Sequence, residues 1–304
     1  MSPLAPIVLF AYNRPHHLRR AVEALRTNDL AIESDLIVYS DGPRSTKDAP
    51  KVGEVRSFLK GVNGFASVRV VERAANWGLA NSVIDGVTET VRDRESVIVL
   101  EDDLLPSPFF LRYMNDGLTM YRRTEEVVSI HGYVYPVEEI LAETSFLRGA
   151  DCWGWATWRR GWDVFRPDGA ALLADLRKGN LTDEFDFNES YPYTEMLDRQ
   201  VRGEVDSWAI RWYASAFLKH KLTLYPGRSL VQNIGSDGSG THQGGKDVSR
   251  VTLSTTPVTV HEIPVSESAS TRKAFEKYFL ASRPGLLRRS YGRLKHHITS
   301  LGGR

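Results

Sequence analysis

Disulfides, a surplus of one charge and long apolar runs are all missing from this chain of 304 residues. Cys152 is its one cysteine, so no internal disulfide forms. Lysine and arginine number 39 against 38 aspartates and glutamates, a net charge of +1, so no overall basic excess points to nucleic acid. No apolar run approaches the roughly 20 residues that a membrane-spanning helix needs. The opening Met1-Ser2-Pro3-Leu4-Ala5-Pro6 lacks the basic flank and apolar core of a secretory signal, and a cytoplasmic location is the expectation. What the chain does have is 41% hydrophobic and 25% charged residues. That balance excludes a disordered or fibrous chain and suffices for one large α/β domain or two small ones.

The most informative stretch is Val97-Ile98-Val99-Leu100-Glu101-Asp102-Asp103-Leu104-Leu105-Pro106-Ser107-Pro108. Four consecutive apolar, mostly β-branched residues without polar alternation spell a strand buried on both faces of a mostly parallel sheet. They run straight into three carboxylates. In open α/β sheets, ligands bind outside the carboxyl ends of the strands, which is where these acids stand. Adjacent carboxylates repel one another unless a proton or a cation intervenes, and an all-oxygen ligand set suits Mg2+ or Mn2+. The plain alternative is a solvated acidic turn.

Residues 6 to 12, 35 to 43 and 67 to 72 read as further strands. Between them Leu18, Ala21, Val22 and Leu25 fall at i, i+3, i+4 and i+7, and Val52, Val55, Leu59 and then Val83, Val87, Val91 mark two more helices. Strand and helix alternate four times at about 30 residues per unit, which builds right-handed βαβ crossovers and a nucleotide-binding sheet. Three loops then meet at one edge: Ala11-Tyr12-Asn13-Arg14, Asp41 ahead of Gly42-Pro43, and Asn76-Trp77-Gly78. Asp41 caps a turn as readily as it holds a ligand, and Asn76 serves equally as a helix cap.

The string Glu101-Asp102-Asp103-Leu104-Leu105-Pro106-Ser107-Pro108-Phe109-Phe110 resembles the metal-binding DXD region of glycosyltransferases with the GT-A fold. It is especially similar to inverting nucleotide-sugar enzymes of the family 2 type and to N-acetylglucosaminyltransferase I. The resemblance implies a Rossmann-like, mostly parallel sheet flanked by helices, with a smaller acceptor-side subregion. It also implies a Mn2+ or Mg2+ ion held by Asp103 against the donor's diphosphate. Nucleotide-sugar contacts would come from Ala11, Tyr12, Asn13 and Arg14, from Asp41 to the base, from Asn76 and Gly78, and from Glu101 and Asp102.

Beyond residue 150 the character changes, because six of the seven tryptophans lie there. Indole faces suit the C–H-rich face of a sugar, although aromatics more often fill a core. Trp158, Trp162 and Trp212 are expected in the core, whereas Trp153 and Trp155, flanking Gly154, are expected to line an acceptor pocket. Asp206 heads a helix running through Ala214, Phe217 and Leu218, and capping is its plain role. The resemblance places a catalytic base here, Asp206 or its neighbour Glu204, to take the acceptor hydroxyl's proton during an inverting transfer. Residues 222 to 226 and 229 to 233 read as a last strand pair, followed by a segment with glycines at 235, 238, 240, 244 and 245. So flexible a segment orders around a ligand, and His242 within it resembles the histidine that completes the metal site in many such enzymes.

The expected activity is transfer of a hexose or N-acetylhexosamine from a nucleotide-diphosphate sugar, a uridine one by expectation, onto a hydroxyl of a glycan or glycolipid. Residues 1 to 125 would bind the donor and residues 126 to 281 the acceptor within one domain. A sugar nucleotidyltransferase is the first rival, but Tyr12-Asn13-Arg14-Pro15-His16-His17 is not the glycine-rich basic loop it requires. A non-catalytic carbohydrate-binding protein is the second, and it has no need of the acids. In the tail from 282 to 304, Leu287, Tyr291, Leu294, Ile298 and Leu301 form one helical stripe beside basic residues. Such a helix lies on an anionic membrane face or packs its stripe on protein, and both readings stand.

Overall fold

Each apolar run of the first hundred residues becomes a strand, and each is carried back by a helix. In this computed structural model, which describes residues 3–237 and 250–283, β1 (Ile7–Ala11), β2 (Asp35–Ser40), β3 (Ser67–Glu72) and β4 (Ser96–Glu101) lie parallel. The crossovers are α1 (Pro15–Arg26), α2 (Ala49–Leu59) and α3 (Leu79–Arg94). Pro15 starts α1, where its missing N–H would have no partner anyway, and Leu18, Ala21, Val22 and Leu25 bury the face that their spacing predicts.

The later elements are β5 (Leu104–Pro106), α4 (Phe110–Met120), β6 (Val127–His131), β7 (Thr144–Arg148), β8 (Trp155–Trp158), α5 (Arg159–Trp162) and α6 (Gly169–Lys178). After them come α7 (Thr182–Phe185), α8 (Tyr193–Val201), α9 (Trp208–Leu218), β9 (Leu222–Pro226), β10 (Val231–Asn233) and α10 (Ala269–Ser282). The main sheet has eight strands in the order β3-β2-β1-β4-β8-β6-β9-β7. β8 and β7 run against the other six, so the sheet is mostly parallel and flanked by helices, as the resemblance implies.

In β4, Val97 and Val99 face one side of the sheet with α3 and α9, while Ile98 and Leu100 face the other with α1 and α4. A strand so enclosed explains the unbroken apolar run. Each of its four side chains contributes on the order of 1.5–3 kcal/mol of burial. A third cluster, under α6, α8, α9 and α10, gathers Leu172, Phe185, Leu197, Phe217 and Phe279. None of the described helices is long and apolar enough to cross a membrane.

Two expectations are corrected. Residues 222 to 226 and 229 to 233 do not pair with each other: β9 joins the main sheet between β6 and β7, and β10 pairs antiparallel with β5, just after the acids. Trp155 is not a pocket wall. It belongs to β8 at the centre of the sheet, is fully buried, and stacks on Trp208 with ring centroids 5.4 Å apart.

Candidate active site

Parallel registry brings the strand ends together. Phe10 lies beside Glu101 and Ala11 beside Ser40, so the loops after β1, β2 and β4 open on the same edge. Ala11 takes part through its carbonyl, which accepts the Asp41 N–H at 2.9 Å.

The three acids leave β4 in different environments. Burial, then the charges of Asp103 and Asp102, pushes the Glu101 carboxyl well above the usual range. Asp102 is pushed up to about 7, first by burial and then by Asp103, although it accepts the Tyr12 N–H at 3.2 Å. Asp103 stands at the mouth of the site, its Oδ2 only 2.6 Å from a guanidinium nitrogen of Arg14. Burial works against the Arg14 charge, but Asp102 and Asp103 more than offset it. Asn13 and Tyr12 tie the same loop down: Asn13 Nδ2 donates to Asp48 at 3.2 Å, and the Tyr12 hydroxyl accepts the Arg44 N–H at 3.0 Å.

Asp41 is fully engaged by protein donors. Its Oδ1 accepts from the N–H groups of Gly42 and Trp77, and its Oδ2 from Asn76 Nδ2 and the Gly78 N–H, all between 2.9 and 3.0 Å. A carboxylate offers about four such acceptor positions, so Asp41 acts here as the clamp that shapes the Asn76-Trp77-Gly78 loop. Gly78 sits at φ 76°, a conformation that favours glycine. Beside this loop Arg73, buried and paired with Asp85 at 2.7 Å, lies 3.5 Å over the Trp77 ring.

A part of the site that the sequence reading missed comes from far along the chain. After β10, the Ile234 N–H donates to the Asp103 carbonyl at 2.8 Å, and Asp237 meets His17 at 3.1 Å. A Cβ on Gly235 would stand 2.2 Å from Asp103 Oδ2, so any larger residue there would have to displace that carboxylate. The segment then enters residues 238–249. His242 lies outside the described residues, and so does the basic tail from 284 onward.

The second carboxylate region is open. Asp206 has a side chain 65% exposed, with Arg211 at 3.5 Å as its charged neighbour, and the α9 cap is Ser207, which accepts from the Ile210 N–H. Glu204 is held between Arg199 at 3.2 Å and Arg202 at 2.8 Å, and these partners, Arg202 first, draw its carboxyl below the usual range. Trp208, two residues after Asp206, touches Trp155, whose β8 partner is Val99 in β4. Trp153 is half-buried with its ring edge-on to Tyr133 at 4.7 Å, whereas Gly154 is buried and its carbonyl accepts the Gly132 N–H.

A divalent ion fits the acids. Two carboxyls raised first by burial and then by neighbouring carboxylate charge, beside a third at the mouth, form an oxygen-rich site in which Arg14 is the neighbouring cation. Among the described residues no three or more His, Cys, Asp or Glu side chains are grouped so as to hold a metal ion, so the protein by itself forms no cage. An ion held by one or two carboxylates and completed by substrate phosphates needs no such cage.

No family model matches the chain, and no curated protein matches it. Solved structures similar to parts of it include a mannosyltransferase from Pyrobaculum calidifontis in complex with GDP-Man and Mn2+, 17% identical, covering 44% of this chain and 36% of that one, with a TM-score of 0.33. They also include TarS of S. aureus, 14% identical over 47% of this chain and 25% of that one, TM-score 0.34. Its 1–349 portion is 13% identical over 57% and 49% of the two chains, TM-score 0.34.

Proposed function

We propose that the protein is a glycosyltransferase that moves a hexose or N-acetylhexosamine from a nucleotide-diphosphate sugar to a hydroxyl of a glycan or glycolipid. The observation that carries the reading is the acid triplet at the end of β4, where Asp102 is pushed up to about 7 and Asp103 is held by Arg14. The resemblance of residues 101 to 110 to the DXD region of family 2 enzymes supports it further, and the choice of uridine rests on that resemblance alone.

Asp103, with Asp102 behind it, would hold Mn2+ or Mg2+. Bound there, such an ion would supply positive charge against the charge growing on the departing diphosphate. Arg14 swings from Asp103 to the diphosphate oxygens, for which a guanidinium is a good fork. The clamped Asn76-Trp77-Gly78 loop and Tyr12 wall the nucleotide. Asp206, exposed just ahead of α9, takes the proton of the acceptor hydroxyl while that oxygen attacks the anomeric carbon from the face opposite the diphosphate, which inverts the centre. Glu204, fastened to two arginines, is the weaker candidate for that proton.

A thermal-shift panel of sugar nucleotides and nucleoside diphosphates with and without Mn2+ tests the reading. A ligand at a hundred times its dissociation constant adds about 2.7 kcal/mol, which is readily seen. Absence of any Mn2+-dependent stabilisation would overturn it, and release of diphosphate from a nucleoside triphosphate and a sugar phosphate would assign a nucleotidyltransferase instead.

A further inference from the structure

Asp151, in the connection from β7 to β8, is a carboxylate that the donor edge does not use. Its Oδ1 accepts the Cys152 N–H at 2.7 Å. Among the described residues its Oδ2 has two distant neighbours, the Tyr225 hydroxyl at 3.4 Å and Nε2 of His131 at 3.6 Å. Good hydrogen bonds to a carboxylate are shorter, so Oδ2 retains capacity for another donor. His131 lies in β6 with no exposed surface, and neither of its ring nitrogens has a hydrogen-bond partner. A buried imidazole without a hydrogen-bond partner needs an explanation, and here its Nε2 lies 3.6 Å from the Asp151 carboxylate.

Aromatic rings enclose this carboxylate. His131 and Tyr225 stand 4.9 Å apart at the floor, with Tyr133 against Trp153 next to them. Tyr135, Tyr191 and Tyr193 are half-buried at the rim, and their hydroxyls are pushed upward by burial and by the charge of Asp151. The Asp151 side chain keeps 24% of its surface exposed, so the bowl opens to solvent. It also adjoins the acid triplet: the Cys152 thiol is pushed up by burial first, then by Asp151, Glu101 and Asp103.

We propose that this bowl binds one neutral sugar ring of the acceptor, with Asp151 Oδ2 accepting from a ring hydroxyl and the tyrosine and Trp153 faces lying against C–H groups. Flat aromatic faces around one hydrogen-bonding carboxylate match the two surfaces of a pyranose. The identification of the ring as an acceptor's rests on the glycosyltransferase reading; the binding of a sugar does not.

The test is saturation-transfer NMR on the full chain with the methyl glycosides of glucose, galactose, mannose and N-acetylglucosamine. At least one should bind, and Asp151→Asn, whose amide oxygen still accepts the Cys152 N–H, should weaken it about tenfold. Tyr191→Ala at the rim should weaken it as well, and decides the matter alone if Asp151→Asn does not fold by circular dichroism. Binding of none of the four glycosides, or equal binding by wild type and both variants, overturns the proposal. If glycosides bind through Asp151 while no sugar nucleotide stabilises the chain with Mn2+, the transferase reading falls and the bowl stands.

Discussion

The two sides of the junction between β4 and β8 are built on different logic. On the β1–β4 side every strand is parallel to its neighbour, so carboxyl ends and their loops collect on one edge, and burial drives Glu101 and Asp102 toward protonation. On the other side β8 runs antiparallel between β4 and β6, its tryptophans fill the core, and Asp206 and Glu204 remain in water. A buried acid shows its purpose in its own perturbation, because an ionised carboxyl is not left in an apolar place without compensation. An exposed acid shows nothing of the kind until a substrate arrives.

The largest expected effect tests that contrast on the exposed side. Asp206→Asn keeps the shape but cannot take a proton, so turnover should fall by roughly two to four decades while donor affinity stays. Glu204→Gln breaks only exposed ion pairs, which water already screens, and should leave turnover within a few-fold. Steady-state rates of both variants decide it; the reverse pattern would move the base to Glu204.

Next in size is the packing of β8. Trp155→Ala should cost about 3–5 kcal/mol of stability, because an enclosed indole leaves a cavity that the stacked Trp208 and the tilted Trp212 cannot fill. Half-buried Trp153→Ala should cost less and spare the donor response. Urea denaturation of the two variants makes the comparison, and equal losses would return Trp155 to the surface.

On the buried side, Asp103→Ala should lower Mn2+-dependent affinity for the sugar nucleotide by about a hundredfold, near 2.7 kcal/mol, with the fold intact. Arg14 would lose its partner at the same time. Thermal shifts with and without Mn2+ measure both terms, and undiminished Mn2+ dependence would remove Asp103 from the ion.

How far the sequence could be read follows the same junction. β1, β2 and β4 are legible because enclosure on both faces demands unbroken apolar runs, and the edge strand β3 because its valines recur along Ser67–Glu72; their order along the chain is also the order of the βαβ units. β8 is not legible: it has four residues, two of them tryptophan, and its neighbours β4 and β6 come from earlier segments, so no local pattern announces an antiparallel strand at the centre. Asp206 and Ser207 are adjacent residues that cap helices equally well, and only the structure shows that Ser207 holds the bond to Ile210. The closure of Gly235 and Asp237 over Asp103 and His17 has no signature either, because it depends on contacts between residues far apart in the chain.

The smallest effect concerns His131, in β6 on the far side of β8 from the acids. Burial holds its pKa below the ordinary value of 6.5, and the charge of Asp151 offsets only part of that. The folded chain thus binds this proton less readily than the unfolded chain does. Stability is therefore full above the unfolded value and declines as pH falls from about 6.5 toward the folded one. A melting temperature followed from pH 7.5 to 5 should drop more steeply for the wild type than for His131→Phe, which fills similar space and cannot be protonated. The substitution also relieves two nitrogens that have no hydrogen-bond partner, so its stability near neutral pH should be close to wild type or above it. Parallel melting curves across that range would show that the ring gains its proton without cost, and the bowl around Asp151 would then be wetter than its packing indicates.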